Sequence, residues 1–342
     1  MSDYSLALPC ALGLNRMNAV FRQKPEDFVV TEELGFDLTG EGEHLWVQVK
    51  KNGMNTMDVV RQLARMSRIR EKDIGFAGLK DKHAVASQWF SLPGAETLAA
   101  PEAGREGSFR ITQQVRNQRK LRRGSHRGNG FVITLRDITV STDTASAWQQ
   151  ALATQGCPNY FGPQRFGHGG SNLDKAARLF AGELKAPRHQ RGMYLSAARA
   201  FLFNQVLAAR IEANHWNAVL DGDVMALQGS GSVFAAEPGD AQLPGRLAEG
   251  DIHVTGPLWG AGQSRVSGSV QALESGIAER YQELAQGLVR AGLAQERRAL
   301  RVMPEQLCIT PAGEEKLVIE FSLPSGAYAT SVLREMVIAE GL

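Results

Sequence analysis

Apolar residues alternate with polar ones in several short stretches and recur at helical spacing in several longer ones, so both kinds of element are expected. Asp27 to Thr31, Leu45 to Val49, Asp73 to Phe76 and Ser87 to Leu92 read as strands in the N-terminal part of the chain. Val132 to Ile138 is a further strand, with Phe131, Ile133 and Leu135 on one face. Near the end, Leu317, Ile319, Phe321 and Leu323 alternate with Val318, Glu320 and Ser322. A helix capped by Asn55 or Thr56 is expected to run to about Ile69, with Val59, Val60, Leu63 and Met66 on its apolar face. Further helices are expected over Thr144 to Ala153, from about Leu195, over most of Ala272 to Arg298, and from about Ser331.

The last strand and helix amount to some forty residues, too few to bury a core alone. That strand is therefore expected to return to the sheet begun in the N-terminal half. The chain then divides into a discontinuous domain, residues 1–157 and 304–342, and an insertion, residues 158–303; a length of 342 residues suits two domains. The insertion opens on a glycine-rich, aromatic loop, Asn159-Tyr160-Phe161-Gly162-Pro163-Gln164-Arg165-Phe166-Gly167. This loop lacks both the Gly-Lys-Ser/Thr ending of a phosphate loop and the strand, glycine triplet and helix of a dinucleotide site. Met225 to Pro257 is acidic and turn-laden.

Composition, 43% hydrophobic and 22% charged, is that of a globular protein, with no apolar run long enough to span a membrane. The N-terminal apolar stretch Leu6 to Leu14 lacks a basic flank, so a cytoplasmic location is expected. Cys10, Cys157 and Cys308 are far apart and form neither a disulfide framework nor a metal-ligand pattern. Net charge is only +2, yet Arg105 to Arg127 holds eight basic residues against one acid, and Arg61 to Lys72 holds five against one. Arginine clusters of this kind suit a polyanion. Gly128-Asn129-Gly130 follows the first cluster and reads either as a close backbone approach to a ligand or as a plain turn into a strand.

Asp81, between Lys80 and Lys82 on a connection between two strands, is the candidate catalytic group. Flanking cations favour the carboxylate, which can serve as a nucleophile, although an extended backbone would send both lysines to the opposite face. A noncatalytic RNA-binding protein would explain the arginines but not Asp81. A small-molecule hydrolase or lyase would use Asp81 but not the arginines.

Phe76-Ala77-Gly78-Leu79-Lys80-Asp81-Lys82-His83-Ala84 closely resembles a motif of the TruD family of pseudouridine synthases. Lys24-Pro25-Glu26-Asp27-Phe28, Gly128-Asn129-Gly130-Phe131, the Asn159 to Gly167 loop and Leu323-Pro324-Ser325-Gly326-Ala327-Tyr328 resemble others, in the same order and over nearly the whole chain. The resemblance implies an α+β fold: a pseudouridine synthase-type catalytic domain with a mixed, largely antiparallel sheet and flanking helices, plus an inserted α/β TRUD domain. It implies isomerisation of uridine 13 of tRNA to pseudouridine, with Asp81 as the catalytic aspartate. Phe28 and Asn129 would contact substrate, Phe131 would lie beside the site, and Tyr328, Arg22 and Lys80 would complete the binding set. Tyr328 and Arg22 stand where members carry Phe and, in some, Lys, keeping ring and charge. The implied partner is tRNA, met by a monomer without a protein partner or a membrane, and the isomerisation calls for no cofactor and no metal.

Overall fold

The computed structural model describes residues 4–99 and 107–342. They fall into two compact units, one comprising Met17–Gln149 and Glu305–Gly326, the other Met1–Arg16, Gln150–Pro304 and Ala327–Leu342.

The first unit is built on one nine-stranded sheet. Its seven longer strands are β1 (Phe28–Glu33), β2 (His44–Asn52), β3 (Val85–Pro93), β4 (Ser108–Asn117), β5 (Gly128–Arg136), β6 (Glu305–Pro311) and β7 (Lys316–Pro324). Their spatial order is β6-β7-β5-β1-β3-β2-β4, with Val20–Phe21 added beside β5 and Gly75–Phe76 beside β3. Only β1 and β3 run parallel among these pairs, Val29 opposite Val85. The C-terminal strand thus returns as its alternation requires, with Ile319 opposite Ile133 and Phe321 opposite Phe131 in the β7–β5 register.

Helix α1 (Thr56–Ser67) covers one face of the sheet, burying Val59, Val60 and Leu63 against Leu45, Val47, Val49, Phe90 and Leu92. Asp58 caps its start by accepting from the Asn55 N–H at 3.3 Å. The helix stops earlier than expected, at Ser67, because Arg68 turns left-handed (φ 58°), and Met66 lies outside the core at 36% exposure.

The second unit holds a four-stranded antiparallel sheet in the order Val233–Ala235, Val224–Leu227, Ile252–Leu258, Glu296–Ala299. The acidic Met225 to Pro257 stretch is therefore not merely turns. The 25-residue helix Arg188–Glu212 packs with Ser171–Phe180, Gly268–Arg280 and Gln282–Arg290. Its small buried Ala197, Ala198 and Ala200 let the helices approach closely around Phe201 and Leu202.

The unit boundaries differ from the expected domain boundaries at both chain ends. Residues 1–16 and 327–342 group with the inserted segment, because Leu8, Ala11 and Leu12 pack against its core. Glu335 accepts hydrogen bonds from the Ala11 and Leu12 N–H groups, and Ser331 Oγ donates to the Tyr160 carbonyl at 3.0 Å. The C-terminal helix is only Ala329–Leu333. No helix among the described residues is long and apolar enough to cross a membrane.

Candidate active site

Asp81 lies on the connection between Gly75–Phe76 and β3, and a closed set of side-chain bonds holds that connection in place. The Lys80 N–H donates to Thr56 Oγ1 (2.9 Å), and the Thr56 hydroxyl donates to Gln88 Oε1 (3.1 Å). Gln88 Nε2 in turn donates to the Gly78 carbonyl (2.5 Å). Thr56 and Gln88 are each 1% exposed, so water cannot replace these bonds without opening the core.

The cation on the Asp81 carboxylate is not a flanking lysine. Arg22 donates to Asp81 Oδ2 at 2.8 Å, while Oδ1 accepts from the His83 N–H at 3.1 Å. Lys82 is exposed, and Lys80 turns inward to Glu32 and Asn129, as backbone alternation allows. Arg22 follows the Val20–Phe21 strand in a left-handed conformation (φ 58°) that costs a non-glycine residue energy. The turn lays its guanidinium 4.0 Å from the centroid of the Phe28 ring. Burial pushes the Arg22 pKa below its ordinary value, and the neighbouring Asp81 opposes that shift.

Two further groups in this set carry no motif in the sequence. Lys51, 1% exposed, donates from Nζ to the Asp81 main-chain carbonyl. Burial pushes its ammonium down to about 8; Asp81 resists this and the charge of Lys80 adds to it. Glu32 has a fully buried side chain, accepts from the Trp89 N–H at 2.9 Å, and stands 3.2 Å from Lys80 Nζ. Burial likewise lowers the Lys80 pKa against the pull of Glu32. Periodicity could have found both residues, since Glu32 continues the inward set Phe28 and Val30, and Lys51 continues Val47 and Val49.

Register brings Asn129 opposite Glu32, and the Asn129 amide oxygen accepts from Lys80 Nζ. His126 lies 3.5 Å from Asn129 Nδ2 and is 9% exposed; burial lowers its pKa, with Glu32 opposing. Phe131 stacks on Phe321 (centroids 5.3 Å apart) and meets Phe28 at a tilt (5.9 Å, 49°). The flanking glycines fit the close packing of the sheet: a Cβ on Gly128 would meet the Leu323 carbonyl oxygen at 2.3 Å, and one on Gly130 would meet Glu33 Oε1 at 2.9 Å. Asp81, Arg22, Phe28, Lys80, Asn129 and Phe131 thus form one linked set in the first unit.

Tyr328 belongs to the second unit. Its hydroxyl accepts from Arg165 Nε at 3.0 Å, and its ring meets Phe161 edge-on at 6.0 Å. Gly162 leaves room for that ring, since a Cβ there would lie 3.0 Å from Tyr328 Cδ1. Arg298 stacks 4.3 Å over Phe161, and burial pushes its guanidinium down to about 10.

The Arg105 to Arg127 run divides by environment, with Arg105 outside the described residues. Residues 108–117 form β4, an edge strand that the apolar pattern does not predict. Arg127 pairs with Glu305 at 2.9 Å and Arg123 covers Phe76 at 3.7 Å. Arg119, Lys120 and Arg122 are exposed. Among the described residues no group of three His, Cys, Asp or Glu side chains is gathered as a metal site.

The family model for tRNA pseudouridine synthase D (TruD) matches residues 11–178 and 180–336. The tRNA pseudouridine synthase D of Nitrosococcus oceani is 45% identical over 324 residues, covering 93% of this chain and 90% of the relative. That of Aeromonas salmonicida is 43% identical over 332 residues, covering 96% and 93%. A crystal structure from Methanosarcina mazei, assigned as a tRNA pseudouridine synthase D, has the same fold, with a TM-score of 0.70 at 21% identity over 96% of this chain and 95% of that one. By the extent of the model match and the identity to these relatives, the chain belongs to the tRNA pseudouridine synthase D (TruD) family.

Proposed function

We propose that this protein converts uridine 13 of tRNA to pseudouridine and that Asp81 is its catalytic carboxylate. The observation that carries the assignment is the pinned Asp81 loop, whose carboxylate meets an Arg22 guanidinium stacked on Phe28. In this isomerisation the bond from ribose C1′ to uracil N1 breaks and one from C1′ to C5 forms. The C5 proton leaves and N1 gains one, so no electron or phosphoryl carrier takes part. Fixing the carboxylate before substrate arrives lowers the reorganisation needed at the reacting centre. A uridine within a structured RNA must be extruded to reach such a group.

In this reading Met17–Gln149 with Glu305–Gly326 is the catalytic domain, and most of the second unit is the TRUD insertion. Phe28 and Phe131 supply the aromatic wall, and Asn129 and Lys80 supply polar contacts. Tyr328, backed by Arg165, supplies a further contact to the RNA. The enzyme acts as a cytoplasmic monomer without metal or organic cofactor.

Incubation with a tRNA transcript carrying tritium at uridine C5 tests the reaction, because isomerisation releases that label to water. Asp81→Asn is expected to abolish release while transcript affinity stays near wild type. Turnover by a clean Asp81→Asn preparation would remove Asp81 from the chemistry.

A further inference from the structure

The first unit contains a cavity of about 850 Å³ whose lining shares no residue with the Asp81 set. That volume falls in the range of ligand sites, about 300–1,000 Å³. Phe36 and Trp46 form its aromatic side, and Arg119, Lys120 and Arg122 its cationic side; Asp37 is the one carboxylate in the lining. Phe36 stands edge-on to Trp46, centroids 5.9 Å apart at 83°, and keeps 45% of its surface accessible. The ring is thus accessible to a ligand on the same cavity wall that carries three cations.

The walls are two loop segments, around residues 36–39 and 118–125, tied to the sheet by specific hydrogen bonds. Trp46 Nε1 donates to the Arg119 carbonyl at 2.8 Å, and the Thr39 N–H donates to Asn117 Oδ1 at 3.1 Å. The Leu121 N–H donates to Ser91 Oγ at 2.9 Å, and Gly75 leaves the space that the Leu121 carbonyl fills. The same basic segment then reaches the Asp81 connection, where the Gly124 N–H donates to the Ala77 carbonyl at 2.8 Å. Trp46 and Lys51 sit five positions apart on β2, roughly 17 Å at the usual strand rise. A nucleotide in this cavity is therefore not the one presented to Asp81.

We propose that this cavity binds a second, unstacked nucleotide of the RNA substrate, its base against Phe36 and its phosphate against Arg119, Lys120 and Arg122. The combination of an exposed ring and adjacent cations is the usual device for gripping single-stranded nucleic acid. The proposal rests on the RNA-modifying function given above and adds where a nucleotide other than the target is held.

The test measures affinity of the full-length protein for an unmodified tRNA transcript as a function of salt. Wild type is compared with Phe36→Leu, Phe36→Tyr and the double variant Arg119→Gln/Arg122→Gln, with thermal unfolding of each as the control for folding. Phe36→Leu is expected to weaken binding about five- to a hundredfold with an unchanged salt slope, and Phe36→Tyr to restore it. The arginine variant is expected to shallow the log-log salt slope by somewhat under about one unit for each phosphate it no longer neutralises. Wild-type affinity in folded Phe36→Leu, or equal losses in the Leu and Tyr variants, would overturn the pocket even if wild type releases tritium normally. A weakened arginine variant beside an unaffected Phe36→Leu would reduce the site to a phosphate-binding surface and overturn it too. Failure of wild type itself to bind the transcript at low salt would overturn the functional reading along with the pocket.

Discussion

At the scale of single residues, the environment of Asp81 is set by side chains far from it in sequence. Arg22 is 59 positions upstream and Lys51 is 30, and neither could be assigned to Asp81 from spacing. The adjacent lysines, conspicuous in the sequence, point to Glu32 or to solvent. The inward period of β1 and β2 was legible and runs on through Glu32 and Lys51, but their part at Asp81 was not, because a charged residue at an inward position is readily taken for the end of the buried face. Lys51 gives this arrangement a measurable signature. Its folded pKa of about 8 lies below the roughly 10.4 of an unfolded lysine, so over that window the unfolded chain holds more protons. The cost of burying its charge is complete below pH 8 and is relieved as pH rises toward 10.4. Denaturant midpoints of wild type should therefore gain on those of Lys51→Met between pH 7.5 and about 10. Parallel profiles would show that Lys51 is not charged and desolvated in the native state.

At the scale of elements, α1 does more than cover the sheet. Thr56, its first residue, anchors the Asp81 connection at Lys80 and orients Gln88 on β3. Thr56→Val keeps the shape but strands the Lys80 N–H and Gln88 Oε1. Leaving a buried group unpaired costs about 1–3 kcal/mol, so the variant should unfold at lower denaturant and Thr56→Ser should recover the loss. Stability equal to wild type in Thr56→Val would mean the connection is held elsewhere. Helix α1, β5 and β7 were readable because each presents an uninterrupted apolar face. Strand β4 was not, for two physical reasons: it lies at the sheet edge, where Arg110, Thr112 and Gln113 can face water, and its register shifts opposite Gln48/Val49. Ser171–Phe180 was hidden by the glycine-rich loop before it, whose left-handed Gly169 and Gly170 lead directly into the helix.

At the scale of the whole molecule, the return of the C-terminal strand was predictable, whereas the grouping of residues 1–16 and 327–342 with the inserted segment was not. The first followed from a segment too short to fold alone; the second depends on individual contacts such as Glu335 with the Ala11 and Leu12 amides. The sheet connectivity bears on how the protein is made. Strand β5 is synthesised early, yet its partner β7 spans Lys316–Pro324, so nearly the whole chain must leave the ribosome before β5 is covered on both sides. Until then the pairing edge of β5 is open to other chains, and closing such a distant pair is slow. A chain ending at Met303 should consequently be recovered as aggregate under conditions where the full-length protein is soluble. Refolding of the intact protein should recover β-sheet signal more slowly than helical signal, because the large sheet closes only when residues as distant in sequence as Ile133 and Ile319 meet.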